Sequence, residues 1–154
     1  MIVQTTTFPV ARSEAFAFLT DPNGWDAWTP FRVQDPDDVR FREPGDELSL
    51  SYRSFKVPIG ASARLVEHTD GEVLAFDLRI PGAVPIEIRA EFHEAGTGAA
   101  LVRMIIDFAV PGGTLARSLW KMSIVPTVVR RELRNALDAA HDLLAEPVIR
   151  EKTR

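Results

Sequence analysis

An α+β domain, one antiparallel sheet closed by a long amphipathic helix, is the fold class this sequence predicts. Three observations predict it. Between Asp46 and Val110 apolar and polar residues alternate with period two, as in strands with one buried face. After Pro111-Gly112-Gly113 the period changes, and Leu115, Leu119, Met122, Val129, Leu133, Ala136, Ala140 and Leu143 recur at steps of three or four once Pro126 is counted in the row. That spacing is one buried helix face, ending near Ala145. The strands are not interleaved with helical patterns, which argues against a doubly wound nucleotide fold. A sheet holding a helix in this way leaves room for a ligand between the two.

The elements follow in order. Ile2 to Phe8 is β-branched and Thr-rich and is ended by Pro9, so it reads as a first strand. Ser13 is placed to cap a short helix through Leu19. Asp21-Pro22 then supplies a second start signal, an acidic N-cap with proline at the first helical position, for a brief helix bearing Trp25 and Trp28. Val39 to Arg42 is a weak strand candidate before the turn Glu43-Pro44-Gly45-Asp46. Stronger strands are expected at Glu47 to Phe55 and Ala61 to Glu67. Thr69-Asp70-Gly71 is a hairpin turn, after which Leu74, Phe76, Leu78 and Ile80 share one face. Ile86, Ile88, Ala90 and Phe92 do the same in the next strand, and Val102, Met104, Ile106 and Phe108 in the last. Opposite them stand charged residues, as on a sheet solvated on its outside. In the long helix, residues from Leu119 to Val129 are apolar around most of the circumference. Pro126 removes a backbone donor there, and a kink or break is expected near it.

Composition bounds the function. The chain has 154 residues, with 45% apolar and 26% charged side chains, enough for one domain with its own core. A single domain over residues 1–145 and a polar tail over 146–154 are expected. The net charge of −4 offers no footprint for nucleic acid. Cysteine is absent, which removes disulfides, thiolate nucleophiles and cysteine metal sites together. No basic leader opens the chain and no apolar run approaches the ~20 residues that cross a bilayer, so a cytoplasmic protein without a transmembrane segment is expected.

Short motifs carry little chemistry. Ser118-Leu119-Trp120-Lys121 has the S-x-x-K spacing of penicillin-binding enzymes but none of their companion motifs. His68, His93 and His141 lie on separate elements without metal-ligand spacing. Asp35-Pro36-Asp37-Asp38 lacks the glycine and terminal glutamate of a calcium loop. Gly96-Thr97-Gly98 joins two strands and lacks a third spaced glycine, so it is no dinucleotide turn. Gly112-Gly113 before a helix suits a hinge better than an anion site. No metal and no nucleotide cofactor is expected.

Thr20-Asp21-Pro22 leading to Trp25-Asp26-Ala27-Trp28-Thr29-Pro30, then Glu43-Pro44-Gly45-Asp46, and then the pair Leu65-Val66-Glu67 and Val73-Leu74-Ala75-Phe76 together carry a family likeness. Over nearly its whole length the chain resembles the START-like or SRPBCC superfamily, especially its polyketide cyclase/dehydrase branch. The resemblance implies a helix-grip fold, a curved sheet of six or seven strands around the last helix with a cavity between. It implies a ligand of lipid or polyketide type, with cyclisation of a polyketide or a chaperone-activator role as alternatives. It does not assign a reaction.

Within that frame Phe76, Leu78, Phe92, Met104, Phe108, Leu119 and Met122 either fill a closed core or line a ligand cavity. Tyr52, the only tyrosine, is in phase with Leu48 and Leu50, and its hydroxyl is suited to orienting a polar ligand group. The resemblance places Trp28 and Phe31 at the cavity mouth, with core packing as the alternative. No inward Arg, His or Glu emerges from the strand alternation. A cyclase-type enzyme therefore requires an acidic or basic group near Tyr52 from elsewhere. The apolar belt Leu119 to Val129 would serve a homodimer or a protein partner if it faced outward.

Overall fold

The computed structural model describes residues 1–53, 58–110, 113 and 125–152, the last seven of these as backbone. The Thr-rich run folds as β1 (Ile2–Phe8), and α1 (Arg12–Leu19) follows. Ser13 does not cap this helix. Ala11 occupies the N-cap without a side-chain bond, and Ser13 falls inside the first turn. Asp21 does cap as expected, accepting from the Asn23 amide at 3.1 Å with Pro22 in the first position, but the segment it opens is a 3-10 helix over Pro22–Ala27. A short strand β2 (Phe31–Val33) and a 3-10 turn (Pro36–Asp38) come next.

The remaining strands are β3 (Glu47–Tyr52), β4 (Ile59–Thr69), β5 (Val73–Arg79), β6 (Ile86–Glu94) and β7 (Ala100–Phe108). All seven form one curved antiparallel sheet in the order β1-β7-β6-β5-β4-β3-β2. β1 and β2 thus hold opposite edges, and the chain between them, α1 and the 3-10 helix, crosses the concave side. The turn after β4 closes through Glu72 N–H to Thr69 C=O at 3.0 Å, and Gly71 takes the left-handed φ of +74° this turn demands. A bulge between Leu65 and Glu67 leaves Val66, 50% exposed, without a register partner and turns Glu67 to the outer face as well. On the outer face Arg89 reaches across Ala75, which pairs with both strands, to an ion pair with Glu67, and it pairs with Glu91 as well.

Val39 to Arg42 is not a strand, although it alternates. The Arg42 and Glu43 amides donate to the Asp46 carboxylate at 3.0 and 2.9 Å, so no neighbouring ladder takes them. Gly45 turns the chain at φ +98°, and the Gly45 and Leu65 amides tie the loop to β4. These bonds, from Glu43 first and Arg42 second, hold the Asp46 carboxyl below the usual carboxylate range. A depressed folded pKa adds stability that is complete above the ordinary value near ~4 and is lost as pH falls through the folded one. Asp46→Asn is therefore expected to lower the melting temperature at neutral pH, with the gap to wild type closing as pH falls below the ordinary carboxylate value of ~4 and through the depressed one. A gap independent of pH, measured by thermal melts across that range, would contradict this origin.

The closing helix α2 spans Val125–Lys152. It continues past Ala145, where the apolar period stops. Its buried stripe is Leu133, Leu137, Ala140 and Leu144, so Leu144 rather than Leu143 carries the last inward position. The expected kink at Pro126 depends on the chain before Val125, which lies outside the described residues.

Candidate functional site

Among the described residues the core forms two clusters rather than one. One cluster joins Phe8, Phe16, Leu19, Phe92 and Val102 to Leu133, Leu137 and Ala140 of α2. A second joins Trp25, Val33 and Phe41 to Leu48, Leu50, Leu65, Leu74 and Leu78. Trp28, Ile86 and Ile88 touch both. A domain of this size ordinarily has one contiguous core. Between these two clusters lies a cavity of about 400 Å³.

The strands supply its wall in the phase the alternation sets. Leu74, Phe76, Leu78 and Ile80 line it from β5 and the residue beyond, and Ile86, Ile88, Ala90 and Phe92 from β6. Met104 and Ile106 come from β7, Leu50 and Tyr52 from β3. Val125, Val128, Val129, Leu133, Ala136 and Leu137 of α2 form the opposite wall. Trp25, Trp28, Pro30 and Phe31 line it as well, with Trp25 held by its Nε1–H to the Leu19 C=O at 3.0 Å and stacked on Phe76 at 5.4 Å.

Of the residues expected from the sequence, Trp28, Phe31, Tyr52, Phe76, Leu78, Phe92 and Met104 line this cavity. Phe108 does not. It is the last residue of β7 and packs against the first core cluster. Leu119 and Met122 lie outside the described residues, as do Ser118, Lys121, Gly112 and most of the apolar belt. The belt's described residues Val125, Val128 and Val129 line the cavity. The histidines do not converge, and no group of metal-ligating side chains is present among the described residues.

Sequence reasoning missed the most polar feature. Tyr52 O–H donates to Glu132 Oε2 at 3.2 Å, from β3 across to α2. β2 positions the tyrosine, since Phe31 is its register partner and the two rings lie 5.0 Å apart. Glu132 stands three residues after Val129 and four before Ala136, both inward positions. That spacing was the available signal. Thr20 and Thr29 also line the cavity, but each spends its hydroxyl proton on a backbone carbonyl, Phe16 at 2.7 Å and Trp25 at 2.8 Å. Apolar walls with a few convergent polar groups are what small-molecule sites require.

A seven-stranded sheet wrapped on its last helix over an apolar cavity defines a helix-grip domain. The description "Polyketide cyclase / dehydrase and lipid transport" belongs to the family whose model matches residues 2–145. The chain belongs to that family. Solved structures share its fold at low identity. A protein from Arthrobacter aurescens is 13% identical with a TM-score of 0.72, over 94% of this chain and 86% of its own. One from Chromobacterium violaceum is 13% identical with a TM-score of 0.66, over 93% and 96%. The di-domain ARO/CYC StfQ from the steffimycin biosynthetic pathway is 14% identical with a TM-score of 0.70, and the match covers 98% of this chain but 46% of StfQ. The chain thus spans about half the length of StfQ. No curated protein matches the sequence. Among the described residues no helix is long and apolar enough to cross a membrane.

Proposed function

We propose that residues 1–145 bind or carry a small, largely apolar molecule of lipid or polyketide type between the sheet and α2. The observation that carries this reading is the split core, with about 400 Å³ of apolar space between its halves. A volume of this size lies within the range of small-ligand sites, and affinity would come from removing apolar ligand surface from water at ~25 cal/mol per Å². Native mass spectrometry of the freshly purified protein tests it. A defined additional mass, released on unfolding and extractable, is expected. A clean apo mass together with no uptake of the neutral dye N-phenyl-1-naphthylamine would overturn the reading.

One observation favours a second reading, a cyclase-type reaction. Glu132 is the acidic group near Tyr52 that such an enzyme requires, and the pair could move a proton within a dry cavity that folds a reactive chain. Cyclisation of a poly-β-ketone thioester that is slowed by both Tyr52→Phe and Glu132→Gln would support it. Equal rates with and without the protein would sink it.

A further inference from the structure

We infer that the cavity selects ligands whose polar end donates a hydrogen bond, an alcohol or an amine rather than a carboxylate, and that Glu132 makes the selection. The inference rests on the binding reading above and adds the chemistry of the ligand's polar end.

The argument is an inventory of donors and acceptors. Tyr52 gives its proton to Glu132, and Thr20 and Thr29 give theirs to backbone carbonyls. Trp28 Nε1–H has no partner among the described residues, but it has under 1 Å² of accessible surface and so meets no ligand. The described wall therefore holds no side-chain donor to spare. It does hold a spare acceptor. An ionised carboxylate offers about four lone-pair sites, and Tyr52 occupies one of those on Glu132.

Charge points the same way. Among the described residues no Lys, Arg or His lines the cavity, and none forms an ion pair with Glu132. A second carboxylate brought beside it, among apolar side chains, would meet a like charge with no cation among the described lining residues to neutralise it. A hydroxyl would complete the hydrogen bonding of Glu132, and an ammonium would add charge to the bond.

The test is displacement of N-phenyl-1-naphthylamine from the full chain at about pH 8 by 1-decanol, decylamine and decanoate, which share one tail. In wild type, decanol and decylamine are expected to displace the dye at concentrations about tenfold below decanoate. In Glu132→Gln decylamine weakens, decanoate strengthens, and the spread falls to within about threefold. Tyr52→Phe, which leaves the carboxylate in place, keeps the wild-type order. Equal competition by all three in wild type, or an unchanged order in Glu132→Gln, would overturn the inference while the binding reading stands. A dye that wild type does not take up would overturn the binding reading, and this inference with it.

Discussion

Ala136→Trp is expected to weaken uptake of N-phenyl-1-naphthylamine by about a hundredfold or more, equivalent to ~2.7 kcal/mol, while stability changes by less than ~1 kcal/mol. Ala136 lines the cavity from α2, so an indole at that position occupies space the ligand needs. In a filled interior the same enlargement would cost ~1–3 kcal/mol through strained rotamers and displaced backbone. Ala140, one turn further along α2, supplies that comparison. It is fully buried in the first core cluster and does not line the cavity. Ala140→Trp is therefore expected to destabilise by ~1–3 kcal/mol or more. Dye titration and urea denaturation of the two variants side by side separate open space from packed core. Equal destabilisation by both would mean that the space beside Ala136 is closed.

The largest loss of stability is expected from Phe92→Ala. Phe92 is 2% exposed and meets Phe16 of α1 edge-to-face, with ring centroids 5.0 Å apart. It fastens α1 to β6 and at the same time forms part of the cavity wall. Truncation removes both the transfer energy of the ring and its contacts, ~3–5 kcal/mol. For a domain of this length that corresponds to a fall of about 10 °C in melting temperature. A loss under ~1 kcal/mol would place Phe92 in a yielding wall rather than in the core.

Much of this site was legible because strand alternation has a strict period. Once Leu74, Phe76, Leu78 and Ile80 share a face, so must whatever lines the space beneath them, and the register pairs Phe76 with Ile88 and Leu78 with Ile86. The long helix was legible on the same ground. Elsewhere the period misled or fell silent. Val39 to Arg42 alternates, yet the Arg42 amide and that of Glu43 beyond it serve the Asp46 carboxylate, and Phe41 is buried against Trp25 and Phe76 as a loop plug. β2 is three residues long, too short for alternation to reveal the strand that positions Tyr52. Glu132 was hidden by its charge. A carboxylate in a helix reads as an outward residue even at an inward spacing, and its hydrogen bond to Tyr52 across the cavity reveals its place. The division of the core into two clusters has no counterpart in the sequence, because periodicity records which faces are apolar and not how far apart they stand.

The most direct test of the central claim is a methyl NMR titration of the protein with N-phenyl-1-naphthylamine. If the space between sheet and helix is the binding site, saturable shifts will concentrate on Leu78, Ile88, Met104 and Val129, on both walls of the cavity. The exposed methyls of Val3 and Val66 will stay where they are. Shifts confined to those exposed residues, or none at all at saturating dye, would contradict a ligand cavity between sheet and helix.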